Sequence, residues 1–375
     1  MSVLASAGRG KTDFVCIKLL ISQVGDAHSA LHVSATRRSP GKVPSVCLVT
    51  PTRWCRAGHL PYVGGTGYRR QIEDPDVMLD CKKGAPAVNE PLHRTGKVQS
   101  GDVALFYRAF GLESSPRGKT PIIILHGSNY FDSYDWIGVA SGLAQDRQVV
   151  VFDHRGFGLS GWSEYKDYSM DALFSDIMSV AAHFDFKQPA IMGHSMSGRL
   201  GIFFAAYFPE RLSQLIVVDT AMGKGNPGNH NVSVGNAPKV FKTVEQAMAH
   251  LAKKENPPRF SLDRKRAELA LREVDGGFVL TRDPDQKNTQ SQAPGASLPK
   301  FTNVDSWDAL AEITCPVTFI RGKRSDRNKP EHYARIARDF PKIRVETIDS
   351  RHDIAFEAPR ELIETVNRIM IDRPE

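Results

Sequence analysis

No apolar run in the 375 residues reaches the eighteen or so needed for a helix to cross a bilayer, so no transmembrane helix is expected. Cysteine is scarce. There are five in all, no two in a C-x-x-C pair or at metal-type spacing, and their odd number leaves at least one without an internal disulfide partner. Four (Cys16, Cys47, Cys55, Cys81) fall in the first quarter, and only Cys315 lies beyond it, where it reads as a strand residue. A reducing, cytoplasmic setting is the expectation, with organelle targeting by the N-terminal segment as the alternative. The surplus of positive charge is also absent from most of the chain. Residues 1–98 hold 14 Lys or Arg against 7 Asp or Glu, which accounts for the whole net charge of +7. The remainder is formally neutral, so a nucleic-acid partner is not expected.

Those first 98 residues have scattered Gly, Pro, Ser and Arg, a short apolar run "VCIKLLISQV", and no sustained periodicity. They read as an N-terminal extension: disordered, a targeting peptide, or translated from a misassigned start, for which Met78 is a candidate. Asp13 and Lys18 break any secretory hydrophobic region. "ASAGRGKT" (5–12) imitates a phosphate loop but has only four residues before it, too few for the buried strand such a loop needs.

From residue 99 to 375 strand and helix patterns alternate. "DVALFYRAF", "TPIIILHG", "RQVVVFD", "PAIMGHS" and "LSQLIVVDT" are near-continuous apolar runs, as strands covered on both faces must be, and amphipathic stretches such as "SMDALFSDIMSVAAHF" separate them. The expected fold class is α/β: a doubly wound, mostly parallel sheet. The regularity stops over residues 221–305, which are rich in Gly, Asn, Pro, Lys and Gln, with helical stretches at "TVEQAMAHLAKK" and "SLDRKRAELALREV". That is too long for a connection and predicts a helical lid inserted after the sixth strand. The sheet pattern resumes with "CPVTFIRG" and "KIRVETID".

Ser195 in "MGHSMSGRL" falls where a strand becomes a helix. Such a turn lifts a hydroxyl clear of the sheet and requires small neighbours two positions away, here Gly193 and Ser197, the latter where the G-x-S-x-G pattern has glycine. A serine hydroxyl needs a base, and the base needs an orienting group. His352 lies just beyond "KIRVETID" and Asp326 just beyond "CPVTFIRG". Loops at the C-terminal ends of parallel strands share one edge, so Ser195, Asp326 and His352 are expected to converge as the catalytic set.

With "ILHG", "FDHRGFGLSG", "GHSMSG", "RGKRSD" and "RHDIAFEAPRELIE" in this order, residues 99–375 resemble the α/β-hydrolase fold family, of the lid-bearing serine hydrolase type. The resemblance implies an oxyanion hole formed by the backbone amides of Ser128 and Met196, no metal and no organic cofactor. It also supplies an alternative acid, Asp219, which ends the preceding strand. His126 is expected to shape the oxyanion loop, His194 to pack in the turn, and Asp153 and Arg155 to stabilise the fold. The implied activity is hydrolysis of a small-molecule carboxylic ester or lactone through an acyl-enzyme. One alternative is a carbon–carbon bond hydrolase of the ring-cleavage product type, in which Arg259, Arg264, Arg266 or Arg272 of the lid meets a substrate carboxylate. Another is a catalytically inactive binding protein on the same fold.

Overall fold

The computed structural model describes the backbone of residues 2–5, 15–24 and 28–36, and residues 93–113, 118–128, 132–224, 240–252, 264–286, 290–297, 300–301, 304–327 and 329–371. The chain divides into two units, Met1–Cys81 and Lys82–Glu375. In the first, Ser2–Ala5, Val15–Val24 and His28–Thr36 form a three-stranded antiparallel sheet with Val15–Val24 in the middle. The rest of the phosphate-loop-like stretch, and Met78, lie outside the described residues.

The second unit is built on eight strands: β1 (Arg94–Ser100), β2 (Val103–Phe110), β3 (Ile122–Leu125), β4 (Val149–Phe152), β5 (Ala190–His194), β6 (Gln214–Val218), β7 (Val317–Gly322) and β8 (Arg344–Ile348). Their order across the sheet is β8-β7-β6-β5-β3-β4-β2-β1. Pairing is parallel from β8 through β4, and antiparallel for β4 with β2 and β2 with β1. Among the described residues the α-helices are α1 (Ile137–Leu143), α2 (Met170–His183), α3 (Met196–Tyr207), α4 (Val244–Ala252), α5 (Arg264–Leu269), α6 (Ser306–Glu312), α7 (Pro330–Asp339), α8 (Ile354–Glu357) and α9 (Pro359–Ile369).

Strands β3 to β6 are buried along their whole length because both faces carry helices. Ile123, Leu125, Val150, Phe152, Ile191, Leu215 and Val217 share a core with α2, α3, α6 and α7. Their alternate neighbours, among them Ile122, Ile124, Val149, Val151, Met192 and Val218, share a second core with α1 and α9. The period-2 alternation of a strand thus feeds two cores, and the sheet is doubly wound. Among the described residues no helix is long and apolar enough to cross a membrane.

Two boundaries differ from the sequence reading. The sheet begins at Arg94, inside the stretch read as N-terminal extension. β1 is an edge strand whose burial is confined to Val98 and Ser100 near its end, so it carries no apolar run to betray it. The tight turn into β2 uses Gly101 at φ 56°, in the left-handed region that glycine enters without strain. In the 221–305 segment, the second expected helix ends at Leu269. "LREV" instead pairs as Leu271–Val274 with Gly277–Leu280 in an antiparallel hairpin, turned by Gly276 and Gly277 at φ 86° and 146°. The two consecutive glycines favour the turn and end helical periodicity. The segment therefore holds a hairpin as well as helices.

Candidate active site

Ser195 sits between the end of β5 and the first residue of α3, at φ 55° and ψ −117°. A non-glycine residue held at such angles stores local strain that the surrounding packing has to enforce. The enforcement is visible: Thr220 Oγ1 donates to the Ser195 carbonyl at 2.9 Å, and the Ser195 amide donates to Val218 O at 2.9 Å.

The hydroxyl faces His352. Ser195 Oγ lies 3.0 Å from His352 Nε2, and His352 Nδ1 lies 2.6 Å from Asp219 Oδ2. A carboxylate can only accept, so Nδ1 carries the proton and Nε2 offers its lone pair to the serine hydroxyl. Asp219 is fully buried and accepts two further bonds, from Gly322 N at 3.0 Å and Ser325 Oγ at 2.5 Å. Burial alone would raise its pKa. The hydrogen bond from His352 and the charge its ring carries when protonated, with the bonds from Ser325 and Gly322, outweigh that and hold the carboxyl below its ordinary value.

Asp326, the acid expected from the sequence, is not in this chain of contacts. Its side chain is 79 % exposed and pairs with Arg327 at 3.4 Å. The "RGKRSD" loop does reach the site, but through Ser325, one residue earlier. The correction is a matter of geometry: Asp219, the alternative, already fills the space beside Nδ1 from the end of β6.

The His352 loop is tied down from two sides. His194 donates through Nε2 to the His352 carbonyl at 2.9 Å, with the two rings 4.7 Å apart. Arg351 bonds Glu357 through both its amide and its guanidinium. Facing the serine, Gly127 comes so close that a Cβ there would meet His194 Nδ1 at 2.8 Å and Ser195 Cβ at 3.3 Å. This brings the Gly127–Ser128 segment against Ser195. Met196 is the first residue of α3, so its N–H has no acceptor within the helix.

Behind that segment lies a network that sequence reading missed. His154 N donates to His126 Nε2 at 2.9 Å, so the His126 proton is on Nδ1, which donates to Gly127 O at 2.7 Å. Ser197 Oγ donates to His126 O at 2.5 Å and therefore accepts from His154 Nε2, 2.8 Å away. Burial pushes the pKa of both histidines down and favours these neutral forms. Ser197 is thus a bridge between α3 and the loop after β3, where glycine could supply neither bond. The signal was the departure from G-x-S-x-G itself. Ser197→Ala or Ser197→Gly leaves a buried carbonyl and a buried ring N–H unpartnered. Either is expected to cost about 3 kcal/mol, read as a lower urea midpoint, although the glycine variant restores the commoner pattern. An unchanged midpoint would mean that the bridge is not made in solution.

Asp153 and Arg155 are structural. Asp153 accepts from Ser133 N at 2.7 Å and Leu159 N at 2.8 Å, and Arg155 forks onto Asp176 at 2.8 and 2.7 Å. Among the described residues no group of three or more His, Cys, Asp or Glu is arranged to hold a metal ion.

The mouse sn-1-specific diacylglycerol lipase ABHD11 is 24 % identical over 331 residues, covering 85 % of this chain and 99 % of that protein. Among solved structures, E-2-(acetamidomethylene)succinate hydrolase aligns with a TM-score of 0.60 at 20 % identity, over 75 % of this chain and all of the other. An esterase from Mycobacterium tuberculosis aligns with a TM-score of 0.57 at 22 % identity, over 75 % and 92 %. The family model of the alpha/beta hydrolase fold matches residues 120–359, a stretch that runs from just before β3 to the start of α9 and contains Ser195, Asp219 and His352. With that match spanning most of the chain, the protein belongs to the α/β-hydrolase fold family.

Proposed function

We propose that this protein is a serine hydrolase that cleaves carboxylic esters through an acyl-enzyme. The observation that carries the reading is the unbroken line from Ser195 Oγ through His352 to Asp219, at 3.0 and 2.6 Å. His352 Nε2 takes the hydroxyl proton as Ser195 Oγ attacks the ester carbonyl carbon. Asp219 holds the ring in the tautomer that can accept, and stabilises the imidazolium that forms. The backbone amides of Met196 and Ser128 bind the developing oxyanion. His352 then returns the proton to the departing alkoxide, and a water molecule deprotonated by the same nitrogen releases the acid and restores Ser195. An esterase and a lipase among the similar proteins favour an ester over other acyl substrates.

The segment 221–305 serves in this reading as a lid. Its described part is fastened to the loop after β4: Asp283 N donates to Gly156 O at 2.8 Å, Tyr168 OH bonds the Asp283 carboxylate, and Trp162 Nε1 donates to Thr281 O at 2.8 Å. The arginines offered for a substrate carboxylate in the carbon–carbon hydrolase reading are largely committed. Arg264 pairs with Glu245 and Glu268, Arg266 with Asp132 and Asp135, and Arg272 lies over Trp162. Arg259 lies outside the described residues.

The test is to treat the purified chain with a fluorophosphonate, map the modified peptide, and assay aryl esters of two- to eight-carbon acids. Modification of Ser195 with matching loss of ester turnover is the expected result. Modification elsewhere, or none, would overturn the reading. Modification of Ser195 without ester turnover would remove the ester assignment.

A further inference from the structure

One charge from the inserted segment is buried deep in the sheet-bearing unit. Arg266, on α5, is 1 % exposed. Its guanidinium forks onto Asp135, Nε to Oδ1 at 2.8 Å and Nη2 to Oδ2 at 2.9 Å, and Nη1 lies 3.1 Å from Asp132 Oδ2. These two carboxylates belong to a single 3-10 turn, Ser133–Trp136. Asp132 is its N-cap, accepting from Tyr134 N, and Asp135 accepts from Asp132 N, so each side chain closes the turn on the other. A third carboxylate, Asp153, grips the same turn through Ser133 N. Two carboxylates thus hold one buried guanidinium, and a third holds the backbone of the turn that carries them. The resulting strain on ionisation shows in Asp132, whose pKa burial raises to about 7 against the pull of Arg266.

The turn follows one side of the site in sequence and packs against the other. Its N-cap, Asp132, lies four residues after Ser128. The electrostatic influence of Asp153, Asp135 and Arg266 reaches the His126 ring, which immediately precedes Gly127. At its far end Trp136 packs its ring 5.8 Å from that of His194, the residue that holds the His352 carbonyl.

We propose that Arg266 is a positioning residue for the oxyanion segment: by clamping Asp132 and Asp135 it fixes the turn that follows Ser128, and it offsets carboxylate charge that would oppose an oxyanion. The proposal rests on the serine hydrolase reading. It makes the inserted segment a part of the chemistry as well as a cover. Displacements of about 1 Å in a catalytic donor cost on the order of 100-fold in rate.

The test uses the full chain with Arg266→Gln, Arg266→Lys, and the triple variant Arg266→Gln with Asp132→Asn and Asp135→Asn. Turnover of an aryl acetate is normalised to sites titrated with a fluorophosphonate, so that misfolded protein is not counted. Arg266→Gln is expected to lower kcat per titrated site about 100-fold with KM changed less than about threefold. Arg266→Lys, which keeps the charge and loses the fork, is expected to recover about tenfold of that loss. Should Arg266→Gln fail to fold, the triple variant, which removes the charge of both carboxylates that Arg266 holds and leaves Asp153 on its two backbone donors, is read in its place: kcat below about one-tenth of wild type supports the proposal. Wild-type kcat per site in whichever variant folds would overturn it, because a purely structural arginine changes the amount of active protein and not the rate at each site. A wild-type chain that neither labels nor turns over would remove the hydrolase reading itself, a result distinct from the first.

Discussion

Asp219→Asn is expected to lower kcat for an aryl ester about 10⁴-fold, with KM changed only a few-fold. The size of the effect follows from which way the new amide must face. Gly322 N–H donates to Oδ1 at 3.0 Å, and a backbone donor cannot turn away, so the asparagine carbonyl takes that position. The amide NH₂ is then left facing His352 Nδ1 and Ser325 Oγ, where Oδ2 now accepts from both. Ser325 can rotate its hydroxyl to accept. The imidazole can satisfy the new donor only by moving its own proton to Nε2, which then points a hydrogen at Ser195 Oγ where a lone pair is needed. The fold keeps its shape and the base is lost.

The same substitution has a signature in stability. The pKa of Asp219 is held below its ordinary value of 3.8, so its stabilising contribution is fully present above that pH and is lost as the pH falls through the lower folded value. The acid limb of urea unfolding should flatten in Asp219→Asn. Asp326→Asn, an exposed change with its partner Arg327 in solvent, should leave kcat within about twofold and the midpoint unchanged. The opposite ranking of the two variants would restore Asp326 as the acid.

Why the sequence favoured Asp326 over Asp219 is instructive. The order of strands, their continuous apolar runs, the serine at the strand-to-helix junction and the histidine after the last strand were all legible, because each is a statement about neighbours in sequence. Asp219 and Asp326 differ in something else. Both follow strands that end on the same rim, and β6 and β7 are adjacent in the sheet. Only the direction of each side chain separates them: Asp219 turns inward at φ 44°, a positive value rare outside glycine, while the "RGKRSD" loop spends Ser325 on the contact and leaves Asp326 outside. Nothing in residue type or spacing encodes that one-residue offset. The Arg266 cluster was illegible for a related reason. Asp132, Asp135, Asp153 and Arg266 come from three places in the chain, and an arginine in "SLDRKRAEL" reads as a solvated helix charge until the helix is docked. β1 and the hairpin escaped because edge pairing leaves a weak apolar record.

Gly193→Ala is expected to remove activity by more than about 1,000-fold and to destabilise the chain by roughly 4 kcal/mol or more, read as kcat per titrated site and as the urea midpoint. A Cβ at this position would stand 2.2 Å from Ser197 O, 2.6 Å from Ser197 C and 2.8 Å from Gly198 N. All three are backbone atoms of the first turn of α3, and no rotamer change relieves them. The methyl can be housed only by lifting α3 from the end of β5, which would swing Ser195 away from His352 and break the Ser197 bridge to His126 O. Gly198→Ala presents a closer first contact, 1.8 Å to Thr220 Oγ1, yet its cost should be smaller. That atom can turn away about one bond, at the expense of its hydrogen bond to the Ser195 carbonyl, which leaves Thr220 Cβ at 2.9 Å and Gly193 O at 3.0 Å to be relieved by a small shift of α3. Gly138→Ala, at the exposed second position of α1 where the 3-10 turn runs straight into the helix and with nothing within 4 Å, should instead stabilise the chain by about 0.5–1 kcal/mol, as alanine does in a helix. The order 193, 198, 138 separates backbone collision from side-chain adjustment from open space. A Gly193→Ala chain with wild-type turnover would mean that the tight turn at Ser195 can open without loss, and Ser195 would then owe its position to something other than the packing of β5 against α3.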